Sequence, residues 1–236
     1  MRKFFKSSKP VIFKSHFGNY DNICNFKCST KFNYLIFTDL DINLKGWITI
    51  KLTLTEDPVK NNRLIKLEPW KYFDAPYSVY LDSRIAISQD CHDLIENISS
   101  THDFIVLTHR NKDRVINEFT RNLNNFRITE NEINNFLKLD NKYLLNSAVE
   151  CGFIIRNHFP INVREHGSRW FNRFCQIRRD QLCIYDDHTA NLIHVLDLDF
   201  NNKKYFSFKG KIKRKLSSLF KRYIIILKIL FGSKIF

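Results

Sequence analysis

Short apolar runs punctuate this chain, and they constrain its fold more than any other feature. NYLIFT (Asn33–Thr38), WITIKLTL (47–54), RLIKL (63–67), YSVYL (Tyr77–Leu81), FIVLT (Phe104–Thr108) and GFIIR (152–156) are rich in β-branched and aromatic residues and bounded by polar ones. Runs of that length and composition read as sheet strands. Helical patterns lie between and after them. They cover 114–126, a segment opened by the capping box Thr129-Glu130-Asn131-Glu132 with Ile133, Phe136 and Leu137 on one face, and 168–177. The alternation predicts an α/β fold with a mixed, mostly parallel central sheet flanked by helices. With 44% hydrophobic residues, 22 of them Phe, a 236-residue chain can build its core without disulfides or a structural metal. Six Gly, five Pro and no fixed-period repeat exclude collagen-like, solenoid and low-complexity chains.

The formal charge of +14 is unevenly spread. The last acidic residue is Asp199, so residues 1–199 carry about +3, and residues 200–236 hold eleven Lys and Arg with no acid. Within that tail Ile212, Leu216, Leu219, Phe220, Tyr223, Ile224 and Leu227 recur at steps of three and four, the spacing of an amphipathic helix. Its most apolar stretch, 223–231, is nine residues and contains Lys228, whereas a spanning helix needs roughly 20 apolar residues. The expectation is a body over 1–202 and a basic amphipathic segment over 203–236 that lies on an anionic membrane. A helix docked on its own body or on a partner is the alternative. A nucleic-acid partner is not expected, because the body is nearly neutral and the tail ends in an Ile/Leu/Phe run.

The N-terminal stretch shows a basic start but neither an apolar core nor a small-residue cleavage site, so no secretory signal is expected. Six irregularly spaced cysteines, of which only Cys24 and Cys28 are close, read as free thiols of a reducing cytosol. The predicted location is cytoplasmic, peripheral on the inner face of a membrane.

In parallel sheets ligands gather at the carboxyl ends of strands. NYLIFT ends in Thr38 and runs into Asp39, and YSVYL runs into Asp82-Ser83-Arg84. A carboxylate held there can grip a divalent cation beside a diphosphate, although an aspartate in such a place is also an ordinary turn or helix cap.

YSVYLDSRIAI (77–87), LTHRNKDRVINEF (107–119) and ECGFIIRNHFPINVREHGSRWFNRFCQIRRDQLCI (150–184), with NYLIFTD before them, together resemble a glycosyltransferase-like family. That family includes plant mucilage and pectin synthesis proteins and bacterial polysaccharide-cluster proteins. The resemblance spans about 33–184, and its most specific part is the ordered series R-x-H, W-F-N and R-D-Q. It implies a GT-A-like fold that binds a nucleotide-diphosphate sugar through a divalent metal, Mn or Mg. The chain would transfer the sugar to a glycan or lipid-linked acceptor in cell-surface polysaccharide synthesis.

By position, the resemblance places Thr38 and Asp39 near the nucleotide and makes Asp82 the metal-side aspartate. It sets His109 and Arg110 near donor phosphates or sugar; apart from the resemblance, a leaving diphosphate needs its charge neutralised, and Arg84, Arg110, Arg156 and Arg179 are the candidate cations. Glu150, Arg156 and His158 would line the sugar and acceptor cleft, and Asp180 with Gln181 would face the reacting centre. Asp82-Ser83-Arg84 lacks the second acid of an Asp-x-Asp metal motif. Either His158 or His188 completes the metal site, or Arg84 supplies part of the charge. Asp180 is the expected catalytic carboxylate; an ion pair with Arg178 or Arg179 is its structural alternative. Trp170 and Phe171 stack on a ligand or belong to the core. Two other classes remain: a non-catalytic scaffold with the same fold, favoured by the missing acid, and a nucleic-acid-binding protein, which accounts for the charge alone.

Overall fold

A computed structural model describes residues 3–19, 21–125, 127–138, 143–189 and 191–208. In chain order the elements are β1 (Phe5–Lys6), β2 (Val11–His16), β3 (Asn33–Thr38), β4 (Ile48–Lys51), α1 (Pro58–Leu67), β5 (Phe73–Asp74), β6 (Tyr77–Leu81), β7 (Ile85–Ile87) and α2 (Gln89–Ile98). There follow β8 (Phe104–Thr108), α3 (Val115–Asn124), α4 (Glu130–Leu137), β9 (Val149–Asn157), α5 (Ile161–Ile177), β10 (His194–Leu196) and β11 (Phe206–Phe208). The expected α/β class with a mixed, mostly parallel sheet is what the chain adopts. Seven strands form the main sheet in the order β10-β8-β9-β6-β2-β3-β4. β9 runs antiparallel to both its neighbours, and every other pair is parallel. Two small ribbons, β1 with β5 and β7 with β11, stand outside it.

Both faces of the sheet are covered, and the strands alternate between them as a period of two requires. Val11 and Phe13 of β2, Leu35 and Phe37 of β3, and Phe104 and Val106 of β8 face a core completed by Val115 and Phe119 of α3, Phe136 of α4, and Trp170 and Phe174 of α5. Ile12, Tyr34, Ile36, Ile105 and Leu107 face the opposite core with Trp47, and with Cys91 and Ile95 of α2. Trp170 is fully buried, so of its two readings the core one holds.

Three differences from the sequence reading have physical causes. RLIKL is not a strand; it is the last half of α1, which starts at Asp57, whose side chain accepts from the Lys60 N–H, with Pro58 in the first turn. The buried face of α1 includes Asn61, Asn62 and Lys66 as well as Ile65 and Leu67, so its helical period is hidden among polar residues. β2, an interior strand of the sheet between β6 and β3, went unread for the same reason. All six of its residues are buried, but three of them are Lys14, Ser15 and His16. The third is α5, which begins at Ile161 after Pro160, one full turn and more before the expected 168.

Gly167 is where α5 crosses the end of α1. A Cβ at this position would lie 2.2 Å from Trp70 Cη2 and 2.4 Å from the Leu67 carbonyl oxygen, so only glycine lets the two segments approach. Overpacking of this kind typically costs 1–3 kcal/mol. Gly167→Ala is expected to lose about 2 kcal/mol or more in a urea titration, and an unchanged midpoint would contradict the packing described.

The body continues beyond the expected boundary at 202. Phe206 is 3% exposed, its ring 5.6 Å from that of Phe153 and 5.1 Å from that of Phe200, and β11 pairs with β7 in register Phe206↔Ile87 and Phe208↔Ile85. The amphipathic segment expected further on lies, from residue 209, outside the described residues. No helix among the described residues is long and apolar enough to cross a membrane. A chain ended after Phe200 should melt lower than one ended after Phe208, because it strips Phe206 from the core.

Candidate functional site

From β2 the chain builds outward through β3 and β4 on one side, then returns to place β6 on the other. A doubly wound sheet opens a crevice at such a switch point, outside the carboxyl ends of the flanking strands. Here those ends are His16 of β2 and, just after β6, Asp82.

The loops at the crevice are tied to one another. Gly18, with φ of 69°, donates its N–H to both Asp39 carboxylate oxygens at 3.0 and 3.2 Å, which joins the turn after β3 to the turn after β2. Thr38 is buried, and its hydroxyl accepts the Leu40 N–H. His16 Nδ1 is 3.1 Å from the Ser83 hydroxyl. Arg84 pairs with Asp21 at 3.1 Å. Burial raises the Asp21 carboxyl and Arg84 acts against it. Beneath them Lys14, fully buried, donates to three carbonyls, Cys24 at 3.0 Å, Ser83 at 2.9 Å and Ile85 at 2.6 Å. Burial pushes its pKa down to about 7, while Cys24 and Asp82 pull it up.

Asp82 stands at the mouth, its side chain 40% exposed. The Tyr80 hydroxyl donates to its Oδ1 at 2.7 Å, and Lys66 Nζ is 3.9 Å from the same oxygen. Lys66 is itself buried and bonded to Asp180 Oδ2, while Arg63 Nε lies 3.3 Å from Asp180 Oδ1. The ion-pair reading of Asp180 therefore holds, but with cations of α1 instead of Arg178 or Arg179. Arg178 pairs with Asp57, and Arg179 donates to the Arg127 carbonyl. Burial alone would raise the Asp180 carboxyl; Arg63 and Lys66 hold it well below the usual carboxylate range.

Asp180 and Gln181 share a single 3-10 turn after α5, entered through Arg178 at φ 62°. While Asp180 reaches α1, Gln181 donates to the Val149 carbonyl at 3.1 Å and to Glu150 Oε2 at 3.4 Å. Arg110 Nε donates to Glu150 Oε1 at 2.9 Å, and His109 Nε2 is 3.9 Å from that oxygen. His109 also lies 3.5 Å from Glu118, which with Asp113 pairs Arg121. The register of β8 on β9 shifts between Val106 and Leu107, which pair with Ile154 and Glu150. This bulge turns Glu150 toward the end of β8. Gly152 lies inside it, where a Cβ would stand 3.0 Å from Asp82 Oδ2 and 3.1 Å from Phe200 Cζ.

One edge of the sheet thus gathers Thr38, Asp39, Asp82, Arg84, His109, Arg110, Glu150, Asp180 and Gln181. Arg156 and His158 lie at the other edge, because β9 runs antiparallel and pairs Tyr77↔Asn157 and Ser78↔Arg156. His158 Nε2 is 2.8 Å from the Ser78 hydroxyl, and burial pushes its pKa down to about 3. Arg156 donates to the Leu67 carbonyl and stacks its guanidinium over Phe104 and Trp170. The sequence reading missed His16, Lys14, Arg63 and Lys66. A lysine inside an apolar run was the one available signal, and it marked both Lys14 and Lys66.

The donor set does not fit a divalent cation caged by protein ligands. Asp82 has Lys66 and the Tyr80 hydroxyl at its Oδ1 where a second acid would be needed. His158 is at the opposite edge, and His188 sits in a turn where its N–H donates to Asp186. Among the described residues no three His, Cys, Asp or Glu side chains could together hold a metal ion.

No protein-family model matches the chain, and no curated protein matches it.

Because Asp180 is held ionised in the fold, its stabilising contribution is present above the ordinary aspartate pKa of about 3.9 and fades as pH falls below it. Removing one partner of a buried ion pair commonly costs 3–5 kcal/mol. Asp180→Asn is therefore expected to lose about 3 kcal/mol at pH 7 by chemical denaturation, with a smaller deficit at pH 3. A deficit equal at both pH values would show that the carboxylate charge contributes nothing.

Proposed function

We propose that the chain is a GT-A-like glycosyltransferase that moves a sugar from a nucleotide-diphosphate donor to a glycan or lipid-linked acceptor at a membrane surface, in cell-surface polysaccharide synthesis. The observation that carries this reading is the partly exposed Asp82 carboxylate at the β2/β6 switch point, with Arg84 two residues away. The motif series of the resemblance adds to it, since RDQ supplies Asp180 and Gln181 to the same edge.

In the proposed reaction the bond between the sugar's anomeric carbon and the donor diphosphate breaks, and its electron pair leaves with the nucleoside diphosphate. The acceptor hydroxyl forms the new bond and gives its proton to Asp82. Charge grows on the departing diphosphate, and Arg84 and the half-exposed Arg110 are the cations placed to neutralise it. Asp180 acts as a positioning residue. Its carboxylate fixes Lys66, which holds Asp82 in place from below. No step is derived through a metal, because the donor set does not fit one.

A non-catalytic scaffold is the second reading. Its favouring observation is that Asp180, the acid of the R-D-Q series, is fully engaged by two cations. Thermal stability in a panel of UDP-, GDP- and CMP-sugars, with nucleotide release measured alongside, separates the two. One donor should raise the melting temperature and be turned over, and Asp82→Asn should cut turnover about 100-fold while leaving the fold intact. Stabilisation without turnover would establish the scaffold, and turnover unaffected by Asp82→Asn would overturn the site.

A further inference from the structure

Lys14 sits where the crevice opens. The register of β2 on β6 runs Val11↔Ser78, Ile12↔Val79 and Phe13↔Tyr80, and Lys14 is the next residue of β2. Interior strands of parallel sheets are ordinarily apolar throughout; here the residue is a lysine with no exposed surface. Its ammonium donates to the carbonyls of Cys24, Ser83 and Ile85 at 3.0, 2.9 and 2.6 Å. The first belongs to the loop after β2, and the other two flank Arg84 on the turn after Asp82. The Cys24 N–H and thiol bond the Ser83 and Arg84 carbonyls of that turn as well, at 2.8 and 3.0 Å. The lysine thus fastens together the two segments that carry Asp21 and Arg84, the ion pair at the mouth.

This clamp needs the charged form. An ammonium has three N–H donors and no acceptor, so three carbonyls use it completely; a neutral amine has two donors and a lone pair that repels the third carbonyl. Burial opposes the same charge. The rings of Phe26 and Trp47, centred 5.6 and 5.7 Å from Nζ, return part of the lost solvation. With these demands opposed, the proton is held with a pKa of about 7. Cys24 and Asp82 face the ammonium and favour its charge, and His16 faces it from its own strand. Asp21 and Asp39 lie one step further out, against His16, and Arg84 against Asp21. Ile36, its partner across the β3 ladder, is apolar.

We propose that Lys14 is a positioning residue of the candidate site: protonated, it holds the loop after β2 against the Asp82-Ser83-Arg84 turn and fixes where Asp82 and Arg84 stand; once its proton passes to solvent, it releases them. The consequence for the reaction rests on the transferase reading, whereas the clamp rests on the three hydrogen bonds alone. Lys14 touches neither donor nor acceptor and acts only through the turn. Lys66 steadies the Asp82 carboxylate, and Lys14 sets the backbone that follows it.

Hydrogen exchange tests the clamp without turnover. In the full-length chain, the peptides covering 22–26 and 82–86 are followed at pH 6 and pH 8.5, each rate divided by that of the unfolded peptide at the same pH, with a peptide from α5 as reference. The wild type is expected to lose about tenfold in protection at both peptides at pH 8.5 and none in α5, since a hydrogen bond from a charged donor gives way to a weaker one. Lys14→Met, of similar length and without donors, should show the lower protection at both pH values. Equal protection of the wild type at the two pH values, or a pH response that survives Lys14→Met, would overturn the proposal and leave the transferase reading intact. Where Lys14→Met fails to fold, the wild-type comparison decides alone.

The effect on the reaction is measured with the donor found above. Wild-type kcat is expected to fall about tenfold from pH 6 to pH 8.5, and kcat of Lys14→Met to lie about tenfold below wild type at pH 6 and stay level across the range. A wild-type kcat level over this range, or a fall that persists in Lys14→Met, would overturn the positioning role. The expected exchange pattern with no donor turned over would instead reject the transferase reading and leave the clamp standing.

Discussion

The buried contact between Lys66 and Asp180 is the interaction on which the site's shape depends. It joins three parts distant in sequence: α1, the turn after α5, and through Asp82 the end of β6. Taking both charges out of water is costly, and the cost is offset only because each finds more than one partner. Arg63 meets the second oxygen of Asp180, the Trp170 indole donates to the Asp180 carbonyl at 2.8 Å, and the Lys66 ammonium lies 4.7 Å from the centre of the Tyr80 ring. With Asp180 held, Gln181 can only face Glu150, so one ion pair sets the position of both.

The same logic recurs along the edge. Asp21 has Arg84, Glu150 has Arg110, and Glu118 and Asp113 share Arg121. Each acid is matched locally, in keeping with a body whose net charge is only about +3. A surface of paired charges projects little field into solution, so any ligand of such an edge would have to be recognised by the placement of individual groups.

Much of this was legible in the residues. β3, β6 and β8 coincide end to end with apolar runs, and the Thr129 capping box is present with both of its hydrogen bonds. Asp39, Asp82, Arg110 and Glu150 fall on one edge as expected. What was hidden was direction. GFIIR looks the same whether its strand runs with or against its neighbours, and because β9 runs against them, its start and not its end meets the site. Glu150 thus falls at the edge that holds Asp82, and Arg156 and His158, expected beside it, fall at the opposite one. Polar residues buried for a structural purpose concealed the rest: Lys14 and His16 disguised β2, and Asn62 and Lys66 disguised a helix as a strand.

The position of β9 also has a consequence for how the chain is made. β6 and β8 are both complete by residue 108, yet they do not pair; β9, which begins at Val149, fills the space between them. During synthesis a gap must therefore stay open between two apolar strands while some forty further residues emerge. Pairing over such separations is intrinsically slow and leaves strand edges exposed in the interval. The nascent chain is most vulnerable to aggregation in that window, and its sheet closes only when the Glu150 segment arrives.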